Sequence, residues 1–192
     1  MEKLGNRRKT GVEQYYTPKD LARNLSEELI AITGSDRSFL EPAGGNGSFV
    51  SALESLGEEK IQAVDLYPKH PRVKNAHFLT HNPKGSNLVT ISNPPFGRNN
   101  SLSIPFFNHA ANHSEYIAFL VPRSWRKWSV QNRLDRRFHL ISDRDVAVNY
   151  VTDTGERIGA NNDLRTCFQI WQRQDTLRPL IRVQDQGLVK KC

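Results

Sequence analysis

The tetrapeptide Asn93-Pro94-Pro95-Phe96 combines residue types that can bind a planar substrate carrying an amino group. Two consecutive prolines cannot donate backbone hydrogen bonds and hold φ near about −65°, so the apolar strand predicted at residues 88–92 must end in a stiff loop. On that loop the Asn93 carboxamide and the carbonyls around the prolines can accept N–H groups, while the Phe96 ring can stack on a flat molecule. These groups predict a catalytic site for a compound such as adenine. The alternative is a structural Pro-Pro turn with Phe96 in the core.

A glycine-rich segment, Glu41-Pro42-Ala43-Gly44-Gly45-Asn46-Gly47, forms the second chemical signal. Its glycines allow a sharp turn and close approach of a ligand, and the helix predicted after it offers free N–H groups at its start. The segment lacks the G-x-G-x-x-G pattern that binds a pyrophosphate. Its acidic residue would repel a phosphate but suits a cationic amino group. The segment therefore favours a nucleoside-type cofactor.

Asp65 ends the next predicted strand, residues 61–64. A carboxylate at such a position can accept hydrogen bonds from ribose hydroxyls. The alternative for Glu41 and Asp65 is that both are capping or surface acids.

Three segments resemble motifs of one enzyme family. Residues 41–47 resemble the glycine-rich motif I of S-adenosylmethionine-dependent methyltransferases, and residues 93–96 resemble their amino-group-methylating motif IV. Tyr15-Tyr16-Thr17-Pro18, ahead of a predicted helix, resembles motif X, which precedes motif I in the gamma order of N6-adenine DNA methyltransferases. The order X, I, IV matches that class, and the resemblance covers residues 14 to about 122.

The resemblance implies S-adenosylmethionine as the cofactor and a direct attack of the substrate nitrogen on its methyl carbon. Asn93 and the Pro94 carbonyl would accept the target amino hydrogens, Pro95 completes the motif, and Phe96 would stack on the base. A base within a duplex would first be flipped out. The residues implied to surround the cofactor are Tyr16, Thr17, Pro18, Glu41, Pro42, Ala43, Gly44, Gly47, Asp65, Asn82 and Asn93.

Two positions depart from the family pattern. Asn82 stands near the end of the third predicted strand, where the family often has an aspartate beside the adenine of the cofactor. Its alternative role is that of a loop amide. The loop at residues 152–163 contains no aromatic residue that could stack on the target base, and Tyr150 is the nearest one.

A basic and aromatic segment follows the strand predicted at residues 116–121. Arginine and lysine interleaved with tryptophan can bind phosphates and stack on bases. The predicted nucleic-acid-binding residues are Arg123, Trp125, Arg126, Lys127 and Trp128. The alternative is a solvated basic helix whose tryptophans are buried anchors.

Composition favours one domain and a polyanionic partner. The chain has 192 residues and carries 27 lysines and arginines against 20 acidic residues, a net charge of +7. Nucleic acid is therefore a better partner than a membrane surface, and we expect a cytoplasmic protein, since the N-terminus is polar and no apolar run is long enough to span a membrane. Cys167 and Cys192 predict neither a disulfide framework nor a metal site.

The predicted elements alternate between strands and helices, which indicates an open, mostly parallel α/β sheet with ligands beyond the carboxyl ends of its strands. The resemblance implies the Rossmann-like class I methyltransferase form, with seven strands and helices on both faces. Predicted helices cover residues 18–33, 49–56 and 104–111. Predicted strands cover residues 38–40, 61–64, 76–79, 88–92, 116–121, 138–141, 146–151 and 165–171.

The predicted organisation is a flexible basic arm at residues 1–14, one catalytic domain at 15–172, and an edge strand or tail at 173–192. No separate target-recognition domain is expected, so specificity would be low or would come from a protein partner. The predicted activity is methyl transfer to adenine N6 in nucleic acid, with DNA favoured. The alternatives are an RNA adenine N6 or guanine N2 methyltransferase, a protein glutamine N5 methyltransferase, and a non-catalytic nucleic-acid-binding subunit.

Overall fold

The computed structural model describes residues 15–152, 155–156 and 165–182. The predicted basic arm, most of the loop before the last strand, and residues 183–192 lie outside this part of the chain. Within it, the helices are α1 (Lys19–Thr33), α2 (Ser48–Ser55), α3 (Ser103–Ala110) and α4 (Trp128–Gln131). The strands are β1 (Phe39–Glu41), β2 (Ile61–Asp65), β3 (Lys74–Asn75), β4 (Leu88–Ser92), β5 (Ser114–Pro122), β6 (Phe138–Val146) and β7 (Thr166–Arg173).

The seven strands form one mixed sheet in the order β3-β2-β1-β4-β5-β7-β6. The first five strands in chain order pair in parallel, and β7 runs antiparallel to both β5 and β6. Strands that pair in parallel need crossover connections, which α2 provides between β1 and β2 and α3 between β4 and β5. The predicted open, mostly parallel, seven-stranded α/β sheet is confirmed.

Helices cover both faces of this sheet. On one face, α1 and α2 bury Leu25, Leu29 and Leu53 against strand residues in one apolar cluster. On the other face, α3 packs Ile104 and Phe107 into a second cluster. The strands between the two clusters are covered on both sides, which explains why every residue of β4 is buried.

Two predicted strands differ from the structure. The third strand is Lys74–Asn75, and the predicted residues 76–79 instead contribute to a 3₁₀ turn, Phe78–Thr80, which buries Phe78. The separate strand predicted at residues 146–151 is absent, because β6 runs unbroken to Val146. As an outer strand, β6 tolerates exposed charges. These charges interrupt the apolar pattern of its sequence, which is why the sequence predicted two separate strands. Among the described residues no helix has both the length and the apolarity that a membrane span needs.

The carboxyl ends of the parallel strands meet at one edge of the sheet, where Glu41 ends β1, Asp65 ends β2 and Ser92 ends β4. The strand order changes direction between β1 and β4, and such a switch point is the usual ligand site of an open α/β sheet. The two glycine- and proline-rich loops of the sequence therefore leave the sheet side by side.

Candidate active site

The loop after β4 begins with Asn93. All five residues of β4 are buried, Asn93 and Phe96 are partly exposed, Pro94 is buried and Pro95 is exposed. The prolines end the strand as predicted, and they hold the amide of Asn93 at the edge where the parallel strands end. Phe96 is partly exposed and is therefore not a wholly buried core residue.

Asn93 and Thr17 are joined by a hydrogen bond across the site. The Asn93 Nδ2 donates to Thr17 Oγ1 at 3.3 Å, and Thr17 is only 4% exposed. This orientation leaves the Asn93 Oδ1 as an acceptor. Both residues line the same pocket. Its lining residues are Tyr15, Tyr16, Thr17, Glu41, Ala43, Gly44, Asn46, Ser48, Phe49 and Asn93.

Thr17 is held in place by an antiparallel backbone bridge between the preceding residue, Tyr16, and Val151. The Tyr16 amide donates to the Val151 carbonyl at 3.2 Å, and the Val151 amide donates to the Tyr16 carbonyl at 3.1 Å. Pro18 then occupies the N-cap of α1, where its missing amide hydrogen costs nothing. The segment that resembles motif X is thus fixed against the chain that follows β6.

Glu41 places a buried carboxyl beside Asn93. Its side chain is 1% exposed, and its Oε1 accepts hydrogen bonds from the Ala43 amide at 2.9 Å and the Ser92 hydroxyl at 2.5 Å. Burial raises the pKa of Glu41 to about 8, although these two bonds act in the opposite direction. Both bonds end on Oε1, so Oε2 has acceptor capacity for a ligand. A buried carboxyl of this kind is best compensated by a cation.

The glycines of this loop are required by close packing. Gly45 and Gly47 have φ of +46° and +78°. A Cβ at Gly45 would lie 2.7 Å from the Tyr16 ring, and one at Gly47 would lie 2.3 Å from the His70 ring. Side chains of the protein therefore occupy the space beside these two glycines, where the sequence predicted room for a ligand.

Asp65 holds the shape of the same loop. Its Oδ2 accepts the Gly45 amide at 2.9 Å, and its Oδ1 accepts the Tyr67 amide at 2.8 Å. A carboxylate oxygen can accept more than one hydrogen bond, so both oxygens have capacity for two neighbouring hydroxyls. The structure thus adds a loop-organising function to the predicted ribose contact of Asp65.

Some predicted cofactor residues do not line this pocket. Pro42 is buried, Pro18 is the N-cap of α1, and Gly47 faces His70. Asp65, at the end of β2, is also outside the lining. Asn82 is exposed in the segment after the 3₁₀ turn, so its contact with a cofactor stays a prediction. The pocket also includes Tyr15, Asn46, Ser48 and Phe49, which were not selected from the sequence. Their only sequence signal is that they lie within or beside motifs X and I.

The two tryptophans after β5 have different environments. Trp125 is wholly buried, with its ring centre 5.8 Å from that of Phe107 and its Nε1 donating to the Ser103 hydroxyl. The prediction that Trp125 stacks on nucleic-acid bases is therefore wrong, because the 3₁₀ turn at Arg123–Arg126 directs its ring into the core. Trp128 is 50% exposed and remains available for stacking.

The basic residues of this segment also differ in their partners. Arg126 bonds to Asp143 at 2.6 Å and to Asp145 at 2.7 Å, and Arg123 bonds to Asp145 at 2.7 Å. These bonds to carboxylates raise the pKa of Arg126. The charges of both arginines are thus largely balanced by β6. Lys127 is exposed beside Trp128, so the predicted nucleic-acid contact depends most on these two residues.

Tyr150 is a component of the site that the sequence did not assign. It is 2% exposed, and its ring centre lies 5.7 Å from that of Tyr15. Burial raises the pKa of Tyr150, and the neighbouring Asn93 side chain opposes that shift. The contact falls short of full hydrogen-bond geometry, and no described group is a partner of the Tyr150 hydroxyl.

No protein-family model matches the chain. Two curated relatives match over 99 residues at 29% identity: the type II methyltransferases M.HincII and M.HindII of Haemophilus influenzae. The match spans 50% of this chain and 19% of each relative. The aligned half of the chain thus corresponds to about a fifth of the length of these relatives.

Solved structures resemble the fold across most of the chain. A Pyrococcus horikoshii protein provisionally described as an RNA methyltransferase superposes with a TM-score of 0.66 at 15% identity, over 87% of this chain and 90% of its own. The M protein of the type I restriction enzyme EcoKI superposes with a TM-score of 0.60 at 14% identity, over 83% of this chain and 44% of its own. The Synechocystis magnesium protoporphyrin IX methyltransferase, solved with its S-adenosylmethionine bound, superposes with a TM-score of 0.56 at 8% identity, over 81% of this chain and 79% of its own. The chain therefore has the fold of the class I S-adenosylmethionine-dependent methyltransferases, the family that motifs X, I and IV indicated.

Proposed function

We propose that this chain transfers a methyl group from S-adenosylmethionine to the N6 amino group of adenine in nucleic acid, with DNA as the favoured substrate. One observation carries the proposal. The carboxamide of Asn93, held by Thr17, and the buried carboxyl of Glu41 line the same pocket at the switch point of a methyltransferase-type sheet. A hydrogen-bond acceptor for an amino group thus lies beside a site for a cation.

The residues around the pocket suit the proposed cofactor. When bound, S-adenosylmethionine supplies a methyl group on a positively charged sulfur, together with an α-ammonium group and a ribose. Glu41 offers Oε2 to the ammonium group, and its burial makes a cationic partner favourable. Asp65 offers its remaining acceptor positions to the two ribose hydroxyls.

Asn93 would position the substrate nitrogen. Its Oδ1 and the Pro94 carbonyl would accept the two amino hydrogens, which turns the nitrogen lone pair toward the methyl carbon. As the nitrogen takes up the methyl group, positive charge would develop on it, and these acceptors would stabilise that charge. The extra proton would then pass from the nitrogen to water. Phe96, which is partly exposed, would stack on the base.

The nucleic-acid contact would lie beside the same edge of the sheet. Lys127 and Trp128 are exposed after β5, whose carboxyl end neighbours that of β4. The net charge of +7 favours a polyanion. The similarity to type II methyltransferases and to a type I restriction-enzyme M protein supports DNA. A protein partner that supplies target specificity is part of the proposal.

RNA is the second candidate substrate. The likeness to the Pyrococcus protein extends over 90% of that chain, and its description as an RNA methyltransferase favours RNA. The acceptor would then be adenine N6 or guanine N2, which the resemblance of residues 93–96 to motif IV allows. Shape recognition can select a structured RNA without a separate reading domain. The same arrangement of acceptors on Asn93 and Pro94 serves either base.

The acceptor is tested by incubating the full chain with methyl-tritiated S-adenosylmethionine and, separately, DNA, RNA and bulk protein. Label in DNA supports the leading proposal, and label in RNA alone selects the second candidate. Label found only in protein contradicts both and indicates the glutamine alternative. No label in any acceptor, from a chain that binds the cofactor, would favour the non-catalytic alternative.

A further inference from the structure

The Tyr150 hydroxyl is a buried polar group beside the proposed catalytic amide, and the reaction described above assigns it no role. We infer that Tyr150 is a positioning residue that fixes the orientation of the Asn93 carboxamide, an inference that rests on the proposed function. Two observations carry it: the position of Tyr150 beside Thr17 and Asn93, and the lack of a described partner for its hydroxyl.

The backbone bridge between Tyr16 and Val151 sets the position of Tyr150. In an antiparallel pair, the residues next to the bridge stand opposite each other, so Thr17 faces Tyr150. Side chains of opposed residues project on the same side and lie within reach of one neighbour. Asn93 is that neighbour, because its Nδ2 already donates to Thr17.

Burial makes the energy of the Tyr150 hydroxyl depend on whether it has a hydrogen-bond partner. A buried hydroxyl without a hydrogen bond is unfavourable, so a small movement that completes such a bond is favourable. At 2% exposure, Tyr150 has little access to solvent. The Asn93 side chain is the one group whose hydrogen bonding opposes the effect of burial on the pKa of Tyr150.

The carboxamide of Asn93 has two N–H hydrogens and one oxygen. One hydrogen is donated to Thr17 Oγ1. The second is donated to the Tyr150 hydroxyl oxygen when substrate closes the site. With both hydrogens held, the Oδ1 of Asn93 is the only group of the amide that faces the substrate, and the amide cannot flip to present N–H groups to an amino acceptor. This arrangement selects an amino group over a carbonyl group.

Tyr150→Phe tests the inference, because it removes one oxygen and keeps the ring. We expect kcat to fall about tenfold, as a lost orienting hydrogen bond implies. The KM for nucleic acid, the cofactor Kd and the melting temperature should stay unchanged. Tyr116→Phe is the matched control, since the Tyr116 hydroxyl on β5 accepts a hydrogen bond from Gln172 away from the pocket. That control should retain the wild-type kcat.

The Asn93 side-chain amide gives a readout that needs no activity. Its NMR signals are identified by their loss in Asn93→Ala, in samples with cofactor and substrate nucleic acid. Tyr150→Phe should move these signals and Tyr116→Phe should not. A wild-type kcat in Tyr150→Phe, a weakened cofactor Kd, or unmoved amide signals would each overturn the inference. A wild-type chain that methylates no acceptor would instead overturn the proposed function, while the NMR comparison would still decide whether Tyr150 contacts Asn93.

Discussion

The Ser92 hydroxyl donates a hydrogen bond of 2.5 Å to the Oε1 of Glu41. Glu41 ends β1, and Ser92 ends β4 directly before Asn93. Both residues are buried. One contact therefore joins the acidic residue of the proposed cofactor loop to the strand that carries the proposed catalytic amide, so the protonation state of Glu41 affects both halves of the site.

The free energy of unfolding should fall as pH rises through the range in which the Glu41 carboxyl is ionised in the unfolded chain but protonated in the folded chain. Burial raises the pKa of Glu41 from 4.5 to about 8. Between these values the folded chain binds more protons than the unfolded chain, so the free energy of unfolding decreases with pH. The Glu41 contribution to this slope is at most about 1.4 kcal/mol per pH unit.

The measurement is urea unfolding of the wild-type chain and of Glu41→Gln from about pH 5 to about pH 8. The variant should lack the part of the slope that Glu41 causes. Glu59→Gln is the control, because Glu59 is exposed and its loss should leave the slope intact. Equal slopes in wild type and Glu41→Gln would show that the carboxyl is not protonated in the folded chain.

Cofactor binding should release a proton at neutral pH. A cationic ligand favours the ionised carboxylate, so it lowers the pKa of Glu41 from about 8. Below that value, binding displaces the proton, and affinity should rise with pH until the free protein is already ionised. Calorimetric titration with S-adenosylmethionine in buffers of different ionisation enthalpy measures the number of protons released. Glu41→Gln should bind more weakly and release none; an unaltered release would assign the proton to another group.

Asn93→Ala should separate binding from chemistry. The variant removes an acceptor that acts on the charge developing in the transition state, and losses of such groups reduce kcat by about 10²–10³. Cofactor affinity should change little, because Glu41 and Asp65 remain. Asn24→Ala, at an exposed position of α1, is the control. If Asn93→Ala weakened cofactor binding as strongly as it reduced turnover, the side chain would belong to the cofactor site.

Trp125 and Trp128 should respond in opposite ways to substitution by alanine. Trp125→Ala is expected to destabilise the fold by about 3–5 kcal/mol, because it empties a core position. Trp128→Ala should leave stability within about 0.5 kcal/mol. If its ring stacks on a base, nucleic-acid affinity should weaken by about 1–3 kcal/mol. Melting curves and fluorescence anisotropy separate these effects.

Lys127→Ala tests the electrostatic part of the same surface. Loss of one phosphate contact should reduce the slope of log affinity against log salt concentration by about one. Arg126 is already paired with Asp143 and Asp145, so it is not the matched test of this contact. An unaltered salt dependence of binding in Lys127→Ala would show that Lys127 is a solvated surface residue without a phosphate contact.

Local signals explain which parts of the fold were predictable. Residues 88–92 form an apolar run that the prolines must end, and the glycines after β1 require a turn. Both features depend on neighbours in sequence, and the structure places them as expected. In contrast, β6 contains Asp143 and Asp145, so its sequence lacks the apolar pattern from which a strand is predicted. Its extent is visible only from its pairing with β7 in the structure.

The site was predictable where a motif fixed it and not where distant segments meet. Nothing near Trp125 and Trp128 in the sequence distinguishes the buried ring from the exposed one, because the 3₁₀ turn that contains Trp125 directs only that ring into the core. Tyr150 reaches Asn93 only through the bridge between Tyr16 and Val151. That contact joins segments far apart in the chain, and local sequence carries no sign of it.

In the proposed reaction, Asn93 directs methyl transfer to the amino group of adenine. A decisive experiment supplies S-adenosylmethionine with a deuterated methyl group to the wild-type chain and to Asn93→Ala, with DNA as substrate, and identifies the labelled nucleosides by mass spectrometry. We expect labelled N6-methyldeoxyadenosine from the wild type and a loss of about 10²–10³ in its rate of formation from the variant. Label on another atom or another nucleoside, or equal rates from the two proteins, would contradict the proposed reaction.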